Sequence, residues 1–515
     1  MDMIKTFVKL IEQKKSYINT CKFVAPQWYL NESETLGNKP SDKATLRGIF
    51  GLYSLNNVMY YAITGKKVTV DHTKWYNGLV SARKMIKRVG VSLKTIAEIL
   101  KQSDKGNRKS ILLPFKNTKR MYCEGVSPIL PVEKRCSVLH ADNVFEDFAA
   151  GVHPRYDLYN DENYGAILPN GGWSFAKPHL KRYSEVRQNR ITYDKIYAVL
   201  EHYGADWLIP VFKERPQKED IDRMYVKPES YSGLMTGLFF GRTKRQSFHF
   251  ANVIAKKLYD LTGSKLLVDT SLKTVGGREK LSKYSKLNEQ TVTRCVLQEE
   301  SCLTQFKQIY ARRVTAAYKL ISNKWNTSHG IGATLNGSGW DSFHAKLTRN
   351  SHKIICGDWS SHDTYVDEKT MIVTFAILRA MWPNSKEVER HFFFFTTGHV
   401  YKRVVVPGGF VYRITGGIMS GCPFTAHVNT ICCKIEILLC FMELGIRVQE
   451  LFTYGDDWIG TIKRGIRLPE NIEEMFGSFV GIEMKDFFAG EIDGTQVRHT
   501  GISFLQTYSM CGEPS

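Results

Sequence analysis

Leu451–Ile462, LFTYGDDWIGTI, reads as strand, tight turn and strand. Leu451, Phe452, Thr453 and Tyr454 lead in, and Trp458, Ile459, Thr461 and Ile462 lead out. Gly455, Asp456 and Asp457 fall where a short hairpin needs turn residues. Two adjacent carboxylates between apolar strands repel each other unless a cation joins them. A solvated Asp-Gly turn would account for this stretch taken alone. A divalent-metal site would need a third carboxylate from elsewhere.

Upstream, Lys353–Cys356 (KIIC) reads as a short buried strand, and Asp358 follows directly after Gly357. The segment runs GDWSSHD, which puts Asp363 five positions beyond Asp358. A helix is expected next, with Val366, Val373, Ile377 and Ala380 on one face. Asp363 stands where a helix cap would. Between this segment and the hairpin lies GGIMSGCPFTAHVNT, residues 416–430. Gly416, Gly417, Ser420 and Gly421 make a flexible loop, and Pro423 suits the first turn of a helix running to about Leu444. Thr425 and Asn429 are four apart and share one face of that helix near its start. A capped core helix would explain part of this pattern, but not so many small residues before it.

The remaining chain bounds the answer. At 515 residues it is too long for one core, so two to four subdomains are expected. Lys plus Arg number 71 against 51 Asp plus Glu, a net charge of +20. That excess suits a polyanion, although a basic solubility surface would give the same balance. The eleven cysteines show no paired C-x-x-C spacing and fall in apolar stretches, as buried reduced thiols do. The most apolar long segment, Ile431–Leu444, carries Lys434, Glu436 and Glu443, so no transmembrane segment is expected.

Ile4, Phe7, Leu10 and Ile11 form one face of an N-terminal helix expected to dock on the protein's own body. Lys177, Lys181, Arg182, Arg187 and Arg190 interleave with Trp173, Phe175 and Tyr183, a pattern that fits a nucleic-acid strand or a solvated helix face. Lys101–Lys109, Asn170–Gly172 and Asn336–Gly339 read as loops or turns, and Pro407–Gly408–Gly409 as a hairpin tip. Phe392–Phe395 reads as core, Pro469–Phe479 as a short helix, Glu483–Phe487 as a turn leading into a strand, and Ile502–Leu505 as a last strand. The core should bury Ile354, Ile355, Val373, Ile377, Ile431, Ile435 and Phe452.

Asp-x4-Asp after a strand, Ser-Gly-x3-Thr-x3-Asn opening a helix, and Tyr-Gly-Asp-Asp in a hairpin, in this order, closely resemble motifs A, B and C of viral RNA-dependent RNA polymerases of the picornavirus-like group. In detail, Asp358–Ser360 (DWS) and the Pro-Gly-Gly hairpin resemble polymerases of double-stranded RNA viruses such as partitiviruses and picobirnaviruses. The resemblance implies an α+β right-hand fold with a palm built on an antiparallel sheet, fingers and a thumb. It implies an N-terminal region and fingertips at 1–110, fingers at 111–345, motif A palm at 346–383, a fingers/palm insertion at 384–415, motifs B to D at 416–500, and a motif E strand at 501–515. The family's thumb lies beyond that strand, so a truncated or absent thumb is expected here.

By the same resemblance Asp358, Asp456 and Asp457 would hold two Mg²⁺ ions, with Mn²⁺ able to substitute. Asp363 and Asn429 would read the ribose of the incoming nucleoside triphosphate, helped by Ser420, Gly421 and Thr425. Lys307, Arg312 and Arg313 would lie over the triphosphate. Lys485 would protonate the leaving pyrophosphate, and Ser232 and Gly233 would line the loop through which the template enters. The implied partners are template and nascent RNA, nucleoside triphosphates, and capsid or other replication proteins. The implied setting is the host cytoplasm, inside a virion or a replication complex. Reverse transcription is the nearest alternative, disfavoured because Asp363 and Asn429 suit a ribose; an inactive RNA-binding scaffold is the other, disfavoured by the intact aspartates.

Overall fold

Ile354, Ile355 and Cys356 are consecutive and all buried, which a strand shows only when both of its faces are covered. The computed structural model describes residues 1–21, 115–126, 138–139, 164–167, 173–204, 210–278, 281–283, 294–322, 329–331, 343, 347, 353–406, 410–491, 503–504, 507–510 and 513–514. The Lys101–Lys109, Asn170–Gly172 and Asn336–Gly339 turns and the Pro407–Gly409 tip lie outside these residues.

In chain order the principal elements begin with α1 (Asp2–Thr20), β1 (Met121–Val126), α2 (Trp173–Ser184) and α3 (Tyr193–His202). Next come α4 (Leu234–Phe239), α5 (Lys244–Ser264), β2 (Leu272–Arg278), β3 (Arg294–Gln298) and α6 (Ser301–Ser322). Then follow β4 (Lys353–Trp359), α7 (His362–Tyr365), α8 (Glu368–Ala380), α9 (Lys386–Val400), β5 (Tyr401–Val405) and β6 (Phe410–Thr415). The last are α10 (Thr425–Glu443), β7 (Val448–Tyr454), β8 (Asp457–Ile462), α11 (Ile472–Val480) and β9 (Met484–Glu491).

Two sheets organise them. The first is antiparallel, in the order β7-β8-β4-β9. The second has the order β1-β6-β5-β2-β3, with β2 and β5 parallel. The strands β5 and β6 pair antiparallel, as expected for the two arms of a hairpin. Ser503–Phe504 pairs with Thr507–Met510 near the end of the chain. This mixed helix and sheet content is that of an α+β domain.

Helix α10 is the centre of the core. It is buried from His427 to Phe441, and it packs on β7, α3, α8 and α11. It is the one described helix long and apolar enough to cross a membrane by length and composition, and most of it is covered by the protein itself. Phe392–Phe395 is buried as expected, within α9. Each such ring contributes about 1.5–3 kcal/mol by leaving water. The seven core residues named above are all buried.

Local expectations differ at four points. Val366 lies between α7 and α8, because the chain makes one short turn of helix before the longer one. The cap of α8 is Asp367, whose carboxylate accepts from the Lys369 amide, so Asp363 does not serve as that cap. Pro423 precedes α10, in the turn before Thr425, so it is not part of the helix's first turn. Met484 to Phe487 belongs to β9; Asp486 takes φ 54°, and the register shifts between Lys485 and Phe488, which looked like a turn in sequence.

The N-terminal helix docks on the body as expected, against α8 and α9, burying Ile4, Phe7, Val8, Ile11 and Ile18. Its C-terminal carbonyls meet two buried arginines. Arg413 donates to the carbonyls of Ile18 at 2.5 Å and Asn19 at 3.1 Å. Arg403 donates to the carbonyl of Cys21 and to Glu124 Oε2 at 2.6 Å. Glu124 also faces Arg413 at 3.5 Å. Cationic groups at a helix C-terminus satisfy its open carbonyls and its negative dipole end.

Arg413→Leu should therefore cost about 3–5 kcal/mol, because it leaves buried carbonyls and half of Glu124's charge without a partner. Thermal melting reads the loss, and limited proteolysis should find residues 1–21 newly cleavable. Unchanged protection of that segment would mean that the apolar face alone holds α1.

Candidate active site

The three aspartates gather because β4 and β8 are neighbours. Trp458 stands opposite Gly357, so one further step brings Asp457 level with Asp358. Asp456 precedes it in the two-residue turn after Tyr454, where Gly455 takes φ 66°. Burial, then repulsion from Asp456 and Asp358, pushes the Asp457 carboxyl up to about 6. Among the described residues no three acidic, His or Cys side chains are drawn into a ready coordination shell. Like charges on adjacent strand ends stand apart until a cation gathers them. The donor set fits a hard divalent ion, since it is all carboxylate oxygen.

Lys485 sits in the same sheet, opposite Asp358, and its ammonium is 3.2 Å from Asp358 Oδ2. Both side chains are about half exposed.

Helix α10 braces the hairpin from behind. Thr430 Oγ1 accepts from the Gly455 amide at 2.9 Å, and its carbonyl accepts from Thr453 Oγ1 at 3.1 Å. The Cys433 thiol donates to the Asp456 carbonyl at 3.7 Å. Asn429, one residue before Thr430, is nearly buried and accepts at Oδ1 from His362 Nδ1 at 2.6 Å. The other ring nitrogen of His362 faces Glu436 Oε2 at 2.5 Å. Asp363 follows His362 directly, and its field raises the pKa of buried Tyr183, after the larger effect of burial. Asp363 and Asn429 thus flank one histidine.

The loop before α10 is pinned residue by residue. Lys402 Nζ donates to the carbonyls of Gly416 and Gly417 at 2.6 and 2.7 Å. Burial, with Arg120 and Lys273 near, pushes its pKa well down, and a neutral amine still carries two donors. The amides of Ile418 and Met419 bind the Asp363 carbonyl and His399 Nε2. Gly421 donates to the Leu297 carbonyl, and a Cβ there would stand 2.7 Å from that oxygen. Thr425 Oγ1 donates to the carbonyls of Met419 and Cys422, so its hydroxyl shapes the loop and is not turned outward to a ribose. Ser420, half-buried, sits at the middle of this frame.

Other expected residues do not converge on the aspartates. Lys307 is fully buried and paired with Glu299 at 2.5 Å; burial would lower its pKa, but Glu299, Cys422 and Asp269 raise it on balance. Arg312 donates to the Tyr225 carbonyl and Arg313 to Asp220. The helical spacing of KQIYARR turns these cations into the body and towards residues 218–225, away from a triphosphate over the hairpin. Ser232 is fully buried, its hydroxyl spent on the carbonyls of Gly241 and Arg242. Gly233 takes φ 108° against Glu300, where any Cβ would collide. Neither offers a side chain to a template.

The sequence reading missed two features. The β2–β3 pair sets Arg278 opposite Arg294, while the other end of β3 bridges Gly421. The signal was a basic stretch between two short apolar runs, before KQIYARR. In the cluster around Tyr183, Lys177, Lys181 and Arg190 are exposed, but Arg182 and Arg187 turn towards the body. Arg182 donates to Ser361 Oγ at 2.8 Å, Arg187 lies 3.6 Å over the Tyr365 ring, and Arg120 donates to the Thr364 carbonyl. These arginines fasten the segment that follows Asp358.

Because the folded-state pKa of Asp457 is raised, the folded chain binds more protons than the unfolded chain between about pH 4 and 6, and stability falls as pH rises through that window. In chelator-treated protein Asp457→Asn should be more stable than wild type by about 1 kcal/mol near pH 7.5, after allowance for solvent screening. The advantage should shrink towards pH 4. Urea melts at both pH values test this; equal stability near pH 7.5 would mean that the carboxylates do not strain one another.

A family model described as viral RNA-dependent RNA polymerase matches residues 215–491, just over half of the chain. The chain is 24% identical over 208 residues to a genome polyprotein of Deformed wing virus, covering 36% of this chain and 6% of that protein. It is 22% identical over 161 residues to an RNA1 polyprotein of Cycas necrotic stunt virus, covering 29% of this chain and 7% of that protein. The chain thus spans less than a tenth of these curated relatives. The matched stretch contains the aspartate hairpin, its partner strand and the helix that braces them, and on that match this chain belongs to the viral RNA-dependent RNA polymerase family.

Proposed function

We propose that this chain synthesises RNA from nucleoside triphosphates on an RNA template, and so replicates and transcribes a viral RNA genome. The observation that carries the reading is the strand register that sets Asp358 level with Asp457 beside Asp456, where burial and then mutual repulsion push Asp457 up to about 6. Carboxylates held together against repulsion are a cation site waiting for its charge. Asp358 and Asp456 are the proposed ligands of two Mg²⁺ ions, with Asp457 assisting and Mn²⁺ able to substitute. The bound ions would supply activation of the primer 3′-hydroxyl and charge neutralisation at the phosphates.

The chain's own residues do the remaining work. Asp363 would accept a hydrogen bond from a ribose hydroxyl, and the Asn429 amide, bonded to the neighbouring His362, would complete the contact. Ser420 is offered by a loop too constrained to drift. Lys485, beside Asp358, is the proposed proton donor to the pyrophosphate oxygen; bound cations would release it from Asp358.

The same reading takes the β7-β8-β4-β9 sheet as the palm of a right-hand fold and residues 111–345 as its fingers. It takes template and product RNA as partners beside capsid or replication proteins, in the host cytoplasm or a viral particle. The DWS of Asp358–Ser360 supports nearer kinship with polymerases of double-stranded RNA viruses.

Asp456→Asn should lower labelled-nucleotide incorporation by at least about 100-fold while RNA binding persists. Full incorporation by that variant would sink the assignment. Lys485→Leu should slow single-nucleotide addition in stopped flow and flatten its pH profile; an unchanged rate and profile would remove Lys485 from the chemistry.

A further inference from the structure

His362 is fully buried, yet both of its ring nitrogens face oxygen. It sits on α7 directly after Ser361, whose φ of 57° turns the chain sharply inward, and its ring stacks near Trp359. Its partners, Asn429 and Glu436, lie seven residues apart on one face of α10. A histidine buried among the hydrocarbon of a core helix normally stays neutral, and His427 on the same helix is pushed down to about 4 by burial. His362 behaves otherwise. Burial alone would lower it, but the Glu436 charge and hydrogen bond raise it above its ordinary value.

We propose that His362 is a positioning residue for sugar selection: held at Nε2 by Glu436, it donates from Nδ1 to the Asn429 carbonyl and so fixes which end of that amide faces the substrate. This rests on the reading of Asn429 as a ribose contact.

The reason lies in donor and acceptor counting. A 2′-hydroxyl has one proton to give and lone pairs to receive with. Asp363, ionised, can only accept, so it takes that proton. The second contact must then be a donor. Asn429 supplies one only if its carbonyl is turned away and its NH₂ towards the site. In the structure the amide nitrogen is on the side of Gly455, 3.4 Å from where a Cβ of that residue would stand, next to the aspartate turn. A flipped amide would set two acceptors against one hydroxyl, and the discrimination between ribose and deoxyribose would be lost.

Glu436 is needed for the same reason. A neutral imidazole would give its single proton to the Glu436 carboxylate from Nε2. That would leave Nδ1 bare, and a bare Nδ1 attracts the Asn429 NH₂, which is the wrong orientation. Burial raises the Glu436 carboxyl as well, so the pair holds a proton between Nε2 and Oε2, and Nδ1 keeps its own. The arrangement also links the segment of Asp358 and Asp363 to α10, so both halves of the sugar contact share one anchor.

The test compares two double variants that both remove the buried charge, His362→Phe/Glu436→Met and His362→Asn/Glu436→Met. Apolar replacement of both partners of a buried ion pair is tolerated far better than removal of one. Asn restores a donor at the δ position; Phe does not. The readout is the ratio of kcat/KM for ATP over dATP in primed extension with Mg²⁺, with Asn429→Ala alongside. The Phe variant should lose about tenfold or more of the wild-type ratio, towards Asn429→Ala, and the Asn variant should keep it within about threefold.

A Phe variant with the wild-type ratio, or an Asn variant that loses as much as Phe, would overturn the inference. If Asn429→Ala keeps the wild-type ratio, the ribose reading itself fails, which is a distinct result. Imidazole ¹⁵N NMR of the wild-type chain, assigned with His362→Asn, needs no variant to be active. A protonated Nδ1 at neutral pH is expected, and a bare Nδ1 overturns the proposal.

Discussion

Mutual repulsion among Asp358, Asp456 and Asp457 is the constraint around which the molecule is arranged. Carboxylates free to move would separate, so the chain must hold them by backbone. It does this with a sheet in which β4 and β8 are hydrogen-bonded neighbours and the turn between β7 and β8 is short. The turn itself is tied to α10 through Thr430 and Cys433. A buried helix is the right brace, because close packing on several sides leaves it no room to yield.

The same logic explains the unusual number of buried charges nearby. Asp269 pairs with Lys273, Lys307 with Glu299, and Arg403 with Glu124, all well covered. Such pairs add little net stability, since desolvation offsets most of the attraction. What they supply is direction. Lys402 and His399 hold individual backbone groups of the loop before α10, and Arg182, Arg187 and Arg120 hold the segment after Asp358. Loops that must present small groups accurately cannot depend on apolar contact, which has no orientation.

Much of this was legible in sequence. The hairpin LFTYGDDWIGTI announced itself by turn residues between apolar runs, and its strands formed as read. The strand of Ile354 and Ile355, the helix of Ile431 and Ile435 and the N-terminal amphipathic helix were visible for the same reason: apolar periodicity reports burial directly. The basic residues were the weak point. Lys307, Arg312 and Arg313 stand close together in sequence, yet the first is buried against Glu299 and the other two reach Tyr225 and Asp220, because positions five and six apart on a helix face differently. Charge says that a residue needs a partner and not which one. Lys485 and Met484 looked like a turn because a register shift inside β9 interrupts its alternation.

The sequence by itself determined the elements, the identity of the crowded carboxylates and the order of the three motifs, since these depend on residue type and spacing along the chain. Only the tertiary structure decided which groups meet. Asp358 stands level with Asp457 and opposite Lys485 because of strand register, which hydrogen bonds between distant segments set. His362 meets Asn429 and Glu436 because a left-handed turn at Ser361 points it into the core, 67 and 74 residues away along the chain. Contacts of that range follow from how elements pack, and no local pattern in the chain records them.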